Sequence, residues 1–377
     1  MMVATGDLLI FGFLFLFISL FIPSLHYLRC VRIISKKALP DFEEFTPEIT
    51  IFLPIKNESI VIKNKLNEIM NYDYPIEKIH LLLIDSNSTD DTVKIAQEFL
   101  NTKSNILSWE IKKIDLPGKS NAVNAALDII KTDFFVMLDA EAITNGNSIS
   151  CLISNFLDKE IGAVCGFLKP LENNPDSKYR TIFNIFRFGE SLLKSTPIFE
   201  GSLCAFRMES IGKKRINPNI NSDDTQLALI IKRNGFRAIM NDQVFFTEPP
   251  VFGKSRYERQ LRRSQGLIRT LFENRDLIVK SDFKLIYLHT LFFHLFLPHI
   301  FIFSLLLIFL GTISYGNYEF YLLLFIVVIL CYRVKLTRNF LYGIYILFNA
   351  QILTFMGKKL NVWETNQEIR RNVNRYR

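Results

Sequence analysis

Three short apolar runs, each closed by polar turn residues, restrict what this chain can fold into more than any other feature. They are Ile49-Thr50-Ile51-Phe52-Leu53-Pro54, His80-Leu81-Leu82-Leu83-Ile84-Asp85 and Phe134-Phe135-Val136-Met137-Leu138. Each is too short for a core helix and lacks the apolar–polar alternation of a half-wet strand, so each reads as a strand covered on both faces. Helical patterns alternate with them: about 59 to 71 after Asn57-Glu58, then Val93 to Leu100 after the capping-rich turn Ser86-Asn87-Ser88-Thr89-Asp90-Asp91-Thr92. A third is opened by Leu116-Pro117-Gly118-Lys119-Ser120 and has Val123, Ala126, Leu127 and Ile130 as its apolar face. Strand and helix in alternation predict an α/β fold with a mainly parallel sheet. Further on, the pattern predicts a strand near Ile161 to Phe167, a helix over Tyr179 to Lys194, a strand within Gly201 to Arg207 and an amphipathic helix from Leu227 to Arg233.

In such sheets ligands collect at the carboxyl ends of the strands. Leu138-Asp139-Ala140-Glu141 places two carboxylates there, spaced i, i+2. Mg²⁺ and Mn²⁺ take oxygen ligands and commonly use one or two carboxylates plus substrate phosphates, so Asp139 and Glu141 suit a metal-bound diphosphate. Gly118-Lys119-Ser120 mimics the end of a P-loop, but position 113, where the first glycine belongs, is Lys113, which excludes an ATPase on spacing. What remains is a helix amino terminus able to receive an anion beside Lys119. Ser222-Asp223-Asp224 precede a helix, where acids cap the amino terminus and suit its dipole.

Both ends of the chain look built for lipid. Of 377 residues 49% are hydrophobic and 35 are Phe, more than a soluble domain needs. Leu8 to Leu28 is charge-free, long enough to span a bilayer, and followed by Arg29, Arg32, Lys36 and Lys37, which predicts an anchor over 1–37 with its carboxyl end inside. A cleaved signal peptide fits less well, because no basic n-region precedes the stretch. After a linker with Pro40 and Pro47 comes the α/β unit, 45–275; then apolar segments over 285–356 (Leu285 to Ile313, Tyr318 to Tyr332, Phe340 to Phe355), and a basic tail, 357–377, with Lys358, Lys359, Arg370, Arg371, Arg375 and Arg377. The net charge of +8 gathers beside these apolar segments, which favours an anionic membrane surface and not nucleic acid as partner. The five cysteines (Cys30, Cys151, Cys165, Cys204, Cys331) have no C-x-x-C spacing and fit reduced thiols facing a cytosol. His26, His289, His294 and His299 lie in apolar segments and His80 opens a strand, which disfavours serine–histidine catalysis and a histidine zinc site.

Taken together the pieces resemble glycosyltransferase family 2, the membrane-bound, nucleotide-sugar-using enzymes with the Rossmann-like GT-A fold that include cellulose, hyaluronan and glucosylceramide synthases. The strand with Pro54 and the loop Asn57-Glu58 are similar to that family's nucleoside-side loop, Asp85 to Thr92 to its Asp-Asp-Gly-Ser-Thr-Asp segment, and Asp139-Ala140-Glu141 to its Asp-x-Asp metal motif. Ser222-Asp223-Asp224 is similar to Thr-Glu-Asp and Gln260 to Ser264 to Gln-x-x-Arg-Trp. The resemblance implies donor contacts from Pro54, Glu58, Asp85, Lys119 and Asp139, Mg²⁺ or Mn²⁺ on Asp139 and Glu141, and Asp224 as catalytic base with Asp223 next in line. It also implies acceptor or diphosphate contacts from Gln260 and Arg263. The expected activity is inverting transfer from a nucleotide-diphosphate sugar, a UDP-sugar by expectation, to a lipid-linked or glycan acceptor, by an integral protein of the cell membrane with catalytic unit and tail in the cytosol. Alternatives are a processive polysaccharide synthase, a non-catalytic sugar-nucleotide-binding subunit, and a nucleotidyltransferase. Three positions depart from the pattern: Ser86 stands for Asp, Glu141 for the second Asp of the metal motif, and Ser264 for Trp. In polymerising synthases that Trp is an acceptor platform, so Ser264 predicts transfer of one or a few sugars unless Tyr257 or Phe272 takes its place.

Overall fold

Burial explains why the first apolar runs become central strands: every residue of β1 (Ile49–Ile55) is buried, and β2 (Ile79–Asp85) and β4 (Phe134–Leu138) are nearly or wholly so. The computed structural model describes residues 2–37, 44–171, 174–280, 282–316, 322, 326, 332–360 and 370–373. Pro40, Arg375, Arg377 and, apart from Leu322, Ile326 and Tyr332, the segment Tyr318 to Tyr332 with Cys331 lie outside the described residues.

In chain order α1 (Met2–Ile34) leads to β1, α2 (Ile62–Met70), β2, α3 (Thr92–Asn101), β3 (Ser108–Lys113), α4 (Lys119–Ile129) and β4. There follow β5 (Ile143–Thr144), α5 (Ser148–Ser154), β6 (Ile161–Leu168), α6 (Ser177–Leu193), β7 (Leu203–Arg207), α7 (Met208–Ile211), α8 (Asp223–Arg233) and β8 (Arg237–Thr247). The chain continues with α9 (Gly253–Glu273), α10 (Leu277–Lys280), α11 (Lys284–Leu291), a π-helical turn (Phe292–Phe296), α12 (Leu297–Tyr315) and α13 (Lys335–Phe355). One eight-stranded sheet has the order β3-β2-β1-β4-β7-β6-β8-β5. The pairs β1–β2, β1–β4, β2–β3 and β6–β8 are parallel, whereas β7 runs antiparallel to both β4 and β6 and β5 antiparallel to β8.

The mainly parallel α/β sheet is as expected, and most boundaries fall within a few residues. One shift matters chemically. The helix expected from Leu227 begins at Asp223, so both acids lie in its first turn and Ser222 is the residue before it. Three strands were not anticipated. β3 is an edge strand with mostly exposed side chains, β5 has two residues, and β8 alternates on either side of an exposed Asp242.

Two apolar cores cover the sheet, one centred on Ile51, Leu53, Leu81, Leu83 and Val136 and the other on Phe52, Leu82, Phe135, Met137 and Phe206. Gly6–Ile34 and Lys284–Ser314 are, among the described residues, the two helices long and apolar enough to cross a membrane. α13 packs Ile344, Leu347 and Ala350 against Leu261 and Ile268 of α9. Leu82 is fully buried between sheet and helices. Leu82→Ala is therefore expected to cost about 2–5 kcal/mol, read as a lower midpoint in denaturant.

Candidate active site

Topology brings the acids to one edge. β1, β2 and β4 run parallel, so Glu58, Asp85 and Asp139 follow or end their strands on the same side. β7 runs the other way and pairs Leu203 with Leu138, which sets Gly201 and Ser202 beside Asp139. β6 is antiparallel to β7 and β8 parallel to β6, so Glu248, just after β8, returns to that edge.

There the carboxylates are held by cations. Lys119 Nζ lies 2.7 Å from Asp139 Oδ1 and 3.8 Å from Asp223 Oδ2, joining two of the expected site residues. Burial opposes the Lys119 charge, but Asp139 and Asp223 hold the ammonium above the ordinary lysine range. Ser120, one residue on, donates its hydroxyl to Asp223 Oδ1 at 2.9 Å. Ser202 Oγ lies 2.5 Å from Glu248 Oε1 and 3.3 Å from Asp139 Oδ2, so one hydroxyl bridges β7, β8 and the metal motif. Glu141 pairs with Arg259 at 3.1 Å and also with Arg370. Arg370 in turn grips Glu58 at 2.5 Å, and Arg259 grips Glu248 at 2.6 Å.

The same chemistry thus produces different acidities. Burial and Asp223 push the Asp224 carboxyl up to about 6, against the pull of Lys119 and Arg263. Burial pushes Glu58 up to about 7, with Arg370 opposing. Burial works against ionised Glu248 too, yet Arg259 and Arg263 hold it down at about 2. Asp224 is half-buried and forms no salt bridge among the described residues; its Oδ1 accepts the Thr225 backbone N–H at 2.7 Å. Gly201 leaves room for it, since a Cβ there would sit 2.9 Å from Asp224 Oδ2.

The remaining expected residues divide. Asp85 is buried and accepts the Ser88 N–H at 3.0 Å. Its loop and that after β1 interlock through Asn57 Oδ1, which accepts the Thr89 N–H at 2.8 Å; Asn57 and Asn87 both have positive φ, a conformation Asn tolerates. Pro54 is buried in β1, beyond its last pairing with β4 at Phe52. Arg263 faces the cleft 3.8 Å from Glu248, and burial with Arg259 pulls its guanidinium down to about 10. Gln260 lines the cleft but donates its amide to Asp176 at 2.8 Å, beside Arg256 at 2.5 Å, so it ties α9 to the start of α6. Tyr257, held near Tyr345, and Phe272, exposed on the far groove of α9, do not line this cleft; Tyr179, Phe183, Phe199 and Tyr342 do, together with Ser264.

The cleft measures about 290 Å³ and is continuous from Lys119, Asp139 and Asp224 to Tyr342, Ile346 and Leu347 of α13. Sequence reasoning missed Arg259, Glu248, Ser202 and Arg370. Arg259 was visible only as part of a basic run, and Arg370 only as one tail cation. The carboxylates of Asp139 and Glu141 and the hydroxyl of Ser202, 3.3 Å from Asp139 Oδ2, are hard oxygen ligands of the kind a divalent cation takes.

Comparison with known proteins decides the family. The family model "Glycosyl transferase family 2" matches residues 50–213, and "Glycosyl transferase family group 2" matches 134–340. The chain belongs to glycosyltransferase family 2. Among solved structures it is similar to the mannosyltransferase PcManGT from Pyrobaculum calidifontis in complex with GDP-Man and Mn²⁺, with TM-score 0.81 and 25% identity over 93% of this chain and 100% of that one. Among curated relatives it is 25% identical over 175 residues to poly-beta-1,6-N-acetyl-D-glucosamine synthase of Staphylococcus epidermidis, covering 43% of this chain and 40% of the relative. It is 36% identical over 118 residues to the O-antigen chain rhamnosyltransferase WbaN of Salmonella anatum, covering 30% and 35%. The chain spans well under half the length of these curated relatives. GT-A fold and glycosyltransferase family agree with the expectations from sequence.

Breaking the buried Arg370 contact should be costly, since one lost partner leaves a buried charge behind. Arg370→Ala is expected to destabilise the protein by about 3 kcal/mol in denaturant titration, and adding Glu58→Gln should recover part of that.

Proposed function

We propose that this family 2 glycosyltransferase is an inverting enzyme of a membrane surface that moves a sugar from a nucleoside-diphosphate donor to a lipid-linked acceptor. The observation that carries the reading is the continuous cleft from Lys119, Asp139 and Asp224 to the apolar side chains of α13. A donor at the carboxylate edge and a lipid acceptor arriving along α13 would meet beside Asp224. Arg180, Arg187 and Arg263 on the cleft wall suit an acceptor phosphate or the departing diphosphate.

Asp139 and Glu141 would hold the Mg²⁺ or Mn²⁺, and the presence of GDP-Man and Mn²⁺ together in the Pyrobaculum neighbour supports the use of a divalent cation. When bound, the cation neutralises diphosphate charge. Glu58, Asp85 and Pro54 border the nucleoside side, and Lys119 attends the anion at the amino end of α4. Asp224 takes the acceptor hydroxyl proton; that oxygen forms its bond to the anomeric carbon as the bond to the diphosphate oxygen breaks. Arg263 meets the charge that leaves, and Gln260 with Asp176 fixes the pitch of α9 that aims it. In this reading Gly6–Ile34 and Lys284–Ser314 cross the bilayer, and Arg29, Arg32, Lys36 and Lys37 favour the cytosolic side of the cell membrane for the catalytic unit. A second crossing after residue 285, for which the apolar sequence Tyr318 to Tyr332 is available, is required to return α13 and Arg370 to that side.

A base must be ionised to act, so with Asp224 near 6 the rate should rise with pH through about 6 and level off above it. Asp224→Asn is expected to keep donor binding and lose about 10²–10⁴ in turnover, measured as nucleotide release. Parental turnover in that variant would move the role to Asp223. Membranes supplied in turn with GDP-mannose and UDP-sugars, with the product extracted into organic solvent, identify donor and acceptor. Recovery of label only in a water-soluble polymer would refute the lipid acceptor. Ser264 lines the cleft where the resembling synthases carry Trp, so the products should be short and Ser264→Trp should lengthen them.

A further inference from the structure

A second cluster of metal-binding side chains lies away from the catalytic edge, where α1, α6 and α11 meet. His26 Nε2 is 3.1 Å from Glu190 Oε1, and Cys30 Sγ is 3.7 Å from the same nitrogen. The His289 ring stacks on His26 with centroids 3.8 Å apart. One ligand atom from each of His26, Glu190 and His289 lies within 4.8 Å of the other two, and Cys30 joins this trio through its approach to His26. We propose that His26, Cys30, Glu190 and His289 form a structural Zn²⁺ site that pins α1 and α11 to α6.

Four observations converge on it. Spacing i, i+4 on α1 puts His26 and Cys30 on one helical face, as a chelating pair requires. In tetrahedral zinc sites neighbouring ligand atoms are about 3.3–3.7 Å apart, and the 3.1 and 3.7 Å separations here are close to that spread. Neither ring nitrogen of His289 has a hydrogen-bond partner among the described residues, although both are buried; a bound ion explains such orphaned atoms, and ligation requires the ring to turn out of its stack on His26 toward Glu190, which breaks no hydrogen bond. Glu190 is already oriented from behind, since Thr196 donates its hydroxyl to Oε2 at 3.0 Å and leaves Oε1 facing the histidines, the outer support that metal carboxylates usually have.

Charge agrees. Two neutral imidazoles, a carboxylate and a thiolate sum to minus two, so Zn²⁺ makes the set neutral in surroundings that include Phe186, stacked on His26 and tilted against His289. Binding releases the Cys30 thiol proton to solvent. Backbone contact at the site is close: a Cβ on Gly189 would lie 2.4 Å from the Cys30 Cβ, so only glycine lets α6 come this near α1. Since α6 also carries Tyr179, Arg180, Phe183 and Arg187 into the cleft, the metal would fix the cleft wall relative to the two apolar helices. The histidines' separate apolar segments argued against a zinc site in the sequence, and the fold removes that objection by packing them together.

The test uses the full chain purified in detergent, stripped with a chelator and titrated with Co²⁺ and Zn²⁺. One equivalent of Co²⁺ should produce a thiolate-to-cobalt charge-transfer band in the near ultraviolet, Zn²⁺ should bleach it, and Zn²⁺ should raise the melting temperature. Cys30→Ser should lose the band, and His289→Gln should lose the Zn²⁺ stabilisation. Metal held only by the catalytic carboxylates gives no thiolate band. A parent protein with neither that band nor chelator-resistant zinc overturns the proposal, whatever the variants do, and leaves an ordinary His26–Glu190 ion pair. A band that persists undiminished in well-folded Cys30→Ser overturns it as well.

Discussion

The structure depends on how a crowd of carboxylates is kept at one sheet edge. Parallel strands deliver Asp85 and Asp139 there, the loops after β1 and β4 add Glu58 and Glu141, β8 adds Glu248, and α8 brings Asp223 and Asp224 in its first turn. Like charges this close repel unless cations or protons intervene. Lys119, Arg259 and Arg370 supply the cations, and the acids divide by which of them each can reach. Glu248, gripped by Arg259, is a firm anion; Glu58 and Asp224 are pushed upward by burial. A single edge therefore contains both permanent charges and a carboxylate able to exchange a proton near neutrality, which is what metal binding and general-base chemistry together demand.

Reversal of one strand makes the edge usable. Were β7 parallel to β4, its amino end and the residues before it would lie at the opposite edge. Antiparallel pairing sets Gly201 and Ser202 next to Asp139, and Gly201 leaves the space that Asp224 fills. The segment before β7 is α6, whose first half faces the cleft and whose last turn meets α1. The cleft and the long apolar helices are thus reached from the two ends of one helix, seventeen residues long.

Long apolar runs made the central strands legible because burial on both faces leaves an unambiguous local signal. The acids were legible for a related reason: each sits at a strand or helix end, where a short motif describes its whole surroundings. β3 and β8 escaped because an edge strand such as Ser108–Lys113 buries little, and the alternation of β8 is broken by the polar stretch Asn241-Asp242-Gln243. The partners of the acids escaped for another reason. Arg370 reaches Glu141 and Glu58 across most of the chain, and His26 reaches Glu190 from a different helix, so no local pattern announces either pair. Gln260 shows the limit of a motif: its position was readable, but only the fold reveals that its amide is committed to Asp176.

The glutamate at 141 illustrates how one methylene alters a site without altering its charge. Asp139 stays with Lys119 at the start of α4, while the longer Glu141 reaches outward to Arg259 on α9 and Arg370 near the carboxyl end. The two halves of the proposed metal motif are consequently neutralised by different elements. A divalent cation that draws both carboxylates inward must loosen α4's lysine on one side and α9's arginine on the other. Arg259 also grips Glu248, and Arg263 lies one helical turn further along α9, close to the same acid. A cation there would then shift the hold on the helix that carries Arg263. With Asp in place of Glu141 the side chain would be shorter by one methylene, and the tie from this edge through Arg259 to α9 would be weakened.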